Sequence, residues 1–156
     1  RQMCIRDRPK SKGSIHIQSA DPQVMPAIRP NFLSVEEDRQ SLIEGMKIAR
    51  RIMQRPAMQA FVELETGPGI DVQTDEQWLE FAQRNGQTIY HPIAPCRMGE
   101  DADAVVDSSL RVRGMTGLRV VDASVIPSMV SGNIQGAVMA VAERGADLIL
   151  EAASLH

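Results

Sequence analysis

Aromatic side chains are scarce in this chain: three Phe, one Tyr and one Trp amount to 3% of 156 residues. A core made without them has to rest on aliphatic side chains and on methionine, of which there are nine. An adaptable, Met-rich interface is the other use for so many thioethers. Cysteine is scarce as well. Cys4 and Cys96 are too few for a disulfide framework, which makes a reducing cytoplasm the expected compartment. No apolar run reaches the roughly 18 residues of a membrane-spanning helix, and the charged residues 1–8 do not read as a secretory signal. Neither sign of charge dominates: 17 Lys and Arg against 20 Asp and Glu leave −3, so no basic footprint calls for nucleic acid. The turn G-x-G-x-x-G, which seats a dinucleotide pyrophosphate, does not occur, and a nicotinamide-type α/β enzyme therefore ranks last. Gly67-Pro68-Gly69 lacks both the spacing and the lysine of a phosphate-cradling loop. No metal is expected either, because His91 and Cys96 would need two further ligands that have no obvious source.

What remains has ordinary globular proportions, with 43% hydrophobic and 24% charged residues. The length suits one domain or one piece of a larger one, and the missing initial methionine favours a piece. Residues 1–7 show no periodicity and are set aside as a possible non-native tail. Ser14 to Gln18 alternates apolar and polar, the pattern of a half-buried strand, with His16 on the solvated side. Pro22, Pro26 and Pro30 then impose an extended, turn-rich connection. Ser34 and Glu37 have capping-box spacing ahead of a helix whose apolar stripe is Leu42, Met46, Ala49 and Met53. Arg50, Arg51 and Arg55 load its last turn, a solvated cationic end, before Pro56 stops it. Thr74 and Gln77 form a second capping box, opening a helix that carries a core Trp78 and ends at Asn85-Gly86.

The stretch from Tyr90 to Gln135 carries the chemistry. It opens with His91-Pro92-Ile93-Ala94-Pro95-Cys96-Arg97-Met98-Gly99, and the proline holds the histidine's backbone extended. A short strand-like segment is expected at residues 104–107 and a firmer strand at residues 118–122, ending in Asp122-Ala123-Ser124. Ser131-Gly132-Asn133-Ile134-Gln135 then leads into a long helix from Asn133 to about Ala152, lined with small residues that admit close backbone approach. Histidine exchanges a proton near neutrality. Glutamine donates and accepts hydrogen bonds but is no base. A histidine at one end and a polar helix start at the other would suit proton abstraction from a ligand held between them. A lone histidine is more often structural, a glutamine at a helix start often caps its own helix, and strand–loop–helix corners are common.

The order of these segments resembles the carboxy-terminal signature of the glucose–methanol–choline (GMC) flavoprotein oxidoreductases, notably the choline-dehydrogenase-like alcohol dehydrogenases. Upstream, Arg8-Pro9-Lys10-Ser11-Lys12-Gly13-Ser14, Asp21-Pro22 and Pro30-Asn31-Phe32-Leu33-Ser34 extend the likeness, so it covers residues 8–152. The resemblance implies an α+β carboxy-terminal fragment. Residues 8–90 would belong to a substrate-binding region with an antiparallel sheet and helices. Residues 91–152 would carry the catalytic motif and the strand and helix that complete a separate FAD-binding domain, and residues 153–156 a tail. It implies His91 as proton acceptor for an alcohol hydroxyl and Gln135, where the family usually has Asn or His, as a substrate-orienting partner. Asp122, Ala123, Asn133, Ile134 and Gln135 would approach FAD. Ala94 and Pro95 stand where the family often has Gly and then Thr or Ser, which is expected to reshape the pocket wall. The implied partners are a small-molecule alcohol, the amino-terminal FAD-binding part of the same protein, and an electron acceptor (oxygen, quinone or protein). The competing reading is a non-enzymatic interaction domain.

Overall fold

The computed structural model describes residues 8–154; the tail expectations at residues 1–7 and 155–156, with Cys4, lie outside the described residues. The chain divides into two compact units. One comprises the chain up to Gly13 together with Pro30–Ile89; the other comprises Ser14–Arg29 and the chain from Tyr90 onward.

The first unit is helical. Helix α1 spans Glu36–Met53, α2 is the single turn Pro56–Gln59, and α3 spans Asp75–Asn85. The capping box expected at Ser34 does not form: Val35 is the N-cap and no side chain caps the helix. Partners distant in sequence replace it. The Ser11 hydroxyl accepts from Val35 N at 3.2 Å and donates to Asp38, whose carboxylate also takes the N–H groups of Lys10 and Ser11 at 3.0 and 2.7 Å. Asp38 is buried, and these bonds offset its desolvation.

The apolar stripe of α1 sits one position off the expected line. Ile43 is 2% exposed, whereas Leu42, Met46 and Ala49 are half-buried and Met53 is exposed. Ile43, Trp78 (2% exposed) and Ala82 are the buried apolar residues where α1 packs on α3. The Lys47–Asp75 ion pair (2.6 Å) joins the same two helices. Truncating a tryptophan so enclosed costs about 3–5 kcal/mol. The Thr74–Gln77 box forms as expected, with each side chain bonded to the other's backbone N–H. Helix α3 ends at Gly86 as expected, but with an extended backbone, and a Cβ there would meet Ala82 O at 2.4 Å.

The second unit begins with an antiparallel hairpin of β1 (Ser14–His16) and β2 (Ala27–Arg29), with Ile15 opposite Ile28. The proline-punctuated loop between them turns at Asp21, whose carbonyl accepts from Val24 N and whose carboxylate accepts from Gln23 N. The strand expected here exists, but β1 is exposed along its length rather than half-buried. The two segments expected as strands near residues 104–107 and 118–122 do not extend into strands. They make only isolated bridges, Met98–Val106, Val106–Val112 and Arg111–Arg119. Left-handed turns at Gly114 and Gly117, followed by the bend at Asp122, limit each pairing to about one rung. The apolar residues of these segments instead feed a compact core of Val106, Leu110 and Val125, with Met98, Val112, Val120, Val121, Val141 and Leu148 around it. The closing helix, α4, spans Gln135–Ala153, starting two residues later than expected. Gly145 is its contact point, since a Cβ there would come within 2.3 Å of Val121 Cγ1. That is the close approach foreseen from its small residues.

Candidate functional site

All six residues singled out from the sequence lie in the second unit. His91 is half-buried in irregular chain, between Tyr90 (φ +61°) and Ala94 (φ +73°). Ala94 opens a turn closed by Arg97 N donating to Ala94 O at 3.2 Å, and Pro95 sits at the position where its fixed φ suits such a turn. Beyond the turn the chain is tied down twice. Cys96 N donates to Ser124 O at 3.1 Å and Met98 N to Val125 O at 2.9 Å. The segment that His91 heads is thereby stitched to the segment that precedes α4.

That second segment is a single 3-10 turn, Ala123–Val125, capped by Asp122 through Ser124 N at 2.8 Å. The same carboxylate oxygen also accepts the Ser124 hydroxyl, so Asp122 serves as a turn cap. Val125 and Ile126 are buried, and the turn packs against α4. At the mouth of α4, Asn133 and Gln135 are exposed while Ile134 is buried at 8%. Ile134 is also the N-cap. Having no acceptor in its side chain, it leaves the first-turn N–H groups without a side-chain cap. A Cβ placed on Gly132 or Gly136 would meet nothing within 4 Å. Uncapped donors beside open space at the positive end of a helix suit the anionic edge of a ligand. Among the described residues, no side-chain cap hydrogen bond forms at the start of α4.

Three features carried no signal that a single sequence makes readable. Ala94 was visible as a residue type, but its left-handed backbone was not. Arg97 and Asp101 form a bidentate ion pair across the acidic turn (2.9 Å from Nη1 to Oδ2), and Arg97 holds the Asp101 carboxyl well below the usual carboxylate range. Arg113 donates to Gly99 O at 2.6 Å and closes the same turn. In the first unit Arg50 is not the solvated helix end expected of it. Its guanidinium binds Glu65 and the carbonyls of Gly69 and Val72 and lies 4.2 Å over the Trp78 ring. A shallow cleft of about 200 Å³ lined by Lys47, Arg50, Arg51, Gln73 and Trp78 opens beside it. Lys47 is balanced by Glu44 and Asp75 and Arg50 by Glu65, so the cleft offers little net charge to an anion. Among the described residues no group of three or more His, Cys, Asp and Glu is arranged to hold a metal, and no helix is long and apolar enough to cross a membrane.

Residues 9–142 match the GMC oxidoreductase family in its carboxy-terminal region. This chain belongs to that family. It is 44% identical over 142 residues to the oxygen-dependent choline dehydrogenase of Pseudomonas fluorescens, an alignment that covers 91% of this chain and 25% of the relative. Among solved structures it resembles pyridoxine 4-oxidase from Mesorbium loti, with TM-score 0.83, 35% identity, and coverage of 90% of this chain and 27% of that one. It also resembles a formate oxidase variant from Aspergillus oryzae studied for modification of its FAD, with TM-score 0.84, 32% identity, and coverage of 93% and 26%. The chain thus spans about a quarter of the length of these relatives. The α+β class is correct: helices with a small antiparallel sheet.

Proposed function

We propose that these residues form the substrate-facing and flavin-facing part of an FAD-dependent alcohol oxidoreductase. In this reading an alcohol is oxidised to an aldehyde or ketone. The observation that carries the reading is the stitching of the His91 segment to the turn ahead of α4, in a chain whose family match runs through both ends. His91 accepts the hydroxyl proton on a ring nitrogen, the general-base role that a positioned histidine fills most often. Gln135, exposed at the first position of α4, orients the substrate oxygen by donating or accepting a hydrogen bond without competing for the proton. The backbone donors of the first turn of α4, with Asn133, Ile134 and Gln135 at its mouth, would hold the flavin's polar edge, and Gly132 and Gly136 leave room for it. Asp122 and Ala123 contribute through the capped turn that supports that mouth. When bound, FAD would supply the hydride acceptor for the carbinol carbon, while the protein supplies position and electrostatics.

The pyrophosphate of FAD falls to polypeptide outside these 156 residues, since no Gly-rich strand-to-helix turn occurs among them. Reoxidation of the flavin would fall to an electron acceptor of the kind the resemblance implies, oxygen, quinone or protein. The test is anaerobic flavin reduction in the full-length enzyme, followed by stopped flow with choline and a panel of other small alcohols. His91→Ala should slow reduction about 10²- to 10⁴-fold, the usual worth of a general base. A rate within tenfold of the parent removes His91 from the role.

A further inference from the structure

Tyr90 and Ala94 lie four positions apart, and both hold a left-handed backbone, at φ +61° and +73°. Neither is glycine, and the Cβ of an L-residue crowds its neighbouring carbonyl in this region. Ala94 is constrained twice, because the residue before a proline is normally pushed to extended backbone with negative φ. Such outliers persist only where the surroundings over-determine them. Here the surroundings are explicit: the Arg97–Ala94 turn bond, then the Cys96–Ser124 and Met98–Val125 ties immediately downstream. Ala94 is the first residue of the turn that joins those ties to the arm carrying His91.

We infer that Ala94 is a positioning residue for His91, its left-handed backbone setting the direction in which the Tyr90–Ile93 arm presents the imidazole. The inference rests on the reading of His91 as the proton acceptor. It concerns the backbone of residue 94, and so it sorts substitutions by tolerance of positive φ rather than by size. Glycine adopts that region freely, asparagine visits it readily, and β-branched residues scarcely enter it. Valine and asparagine differ little in bulk, which makes them the informative pair.

The experiment uses the full-length flavoenzyme with FAD bound, choline as the alcohol, and anaerobic flavin reduction followed across pH. Ala94→Gly and Ala94→Asn are expected to reduce flavin within threefold of the parent. Ala94→Val is expected to lose at least tenfold in the reduction rate, with KM changed less than threefold and the acid limb of the rate profile displaced as the imidazole leaves its position. If Ala94→Val does not fold with FAD, Ala94→Leu replaces it, being unbranched at Cβ but without left-handed preference. Parent-like rates and pH profile in the Val or Leu variant overturn the inference. So does a lowered melting temperature with unchanged kinetics, which is what a merely structural role would give. Equal loss in the Asn and Val variants overturns it too, since bulk would then be the cause. His91→Ala is run alongside: a parent-like rate there sinks the reading of His91 itself, whatever the Ala94 series does.

Discussion

At the scale of single residues, Arg50 is where sequence and structure part most sharply. Three arginines before a proline read as a solvated helix end. In the fold the Arg50 side chain is only 12% exposed and bonds four protein groups or faces: Glu65, Gly69 O, Val72 O and the Trp78 ring. Its partners lie 15 to 28 positions further on, so no local pattern announces them. Arg50→Met keeps the packing volume but strands a Glu65 that is 23% exposed, together with two carbonyls. Breaking a largely buried pair from one side is expected to cost about 3 kcal/mol. Arg50→Lys should recover little of this, since an ammonium lacks the planar fork. Urea unfolding of the full-length protein checks both, and a Lys variant as stable as the parent contradicts the assignment. Asp101 gives the pH counterpart. The hydrogen bond from Arg97 lowers its carboxyl below the usual range. A depressed folded value means stability that is present above the unfolded carboxylate range of about 4 and lost as pH falls through the folded value. Loosening of the acidic turn is therefore expected only well below about pH 4. Carbon NMR of the carboxyl should show this, with Arg97→Gln returning the titration to its ordinary range; an ordinary midpoint in the parent refutes it.

At the scale of elements, the long helices and the first strand were legible, and the two later strands were not. The Thr74–Gln77 box, the end at Gly86 and the long closing helix follow from signals a few residues wide. Even so, α1 took its N-terminal support from Ser11, through a hydroxyl more than twenty positions away. Leu118 to Asp122 looks like a strand because it is apolar and ends in small residues. The left-handed turns at Gly114 and Gly117 limit its pairing, and Val121 packs instead against Gly145 of α4. The order of the site's segments was legible through family likeness, while the φ of Ala94 was not, because one sequence records residue types and no backbone angles. The two glycines of α4 permit a paired prediction. At Gly145 an added methyl lies 2.3 Å from Val121 Cγ1, and overpacking of about 1–3 kcal/mol outweighs a helix-propensity gain of at most about 1 kcal/mol. Gly145→Ala should therefore destabilise. At Gly136, with nothing within 4 Å, the same change should leave thermal unfolding unchanged or slightly improved, yet weaken FAD retention if the helix mouth faces the flavin. Melting temperatures and the flavin-to-protein ratio of the two full-length variants decide it. Unchanged FAD content in a folded Gly136→Ala variant speaks against the flavin-facing mouth.

At the scale of the whole molecule, the balance of buried and exposed apolar residues sets what this chain does unaided. Among the described residues nine hydrophobic side chains are buried while nineteen large ones are exposed, from Ile17 at 87% and Phe61 at 83% to Ile15 at 39%. Where such exposed residues lie together they mark contact with other protein. The hairpin β1–β2 points the same way, since two strands with exposed faces are marginal in water and gain stability from further strands or a covering helix. The relatives are about four times longer, and the pyrophosphate-binding turn that a flavoprotein needs is not encoded in these residues. The helix mouth alone offers a few backbone donors, each worth about 1 kcal/mol net. That is far short of the roughly 8 kcal/mol that micromolar retention requires. The 156-residue chain purified by itself and passed over a desalting column with excess FAD should emerge without flavin absorbance. The full-length protein should emerge yellow, with one FAD per chain. Stoichiometric flavin on the isolated chain would mean that the donors at the α4 mouth are not its only hold on the cofactor, and that a second binding element lies within these residues.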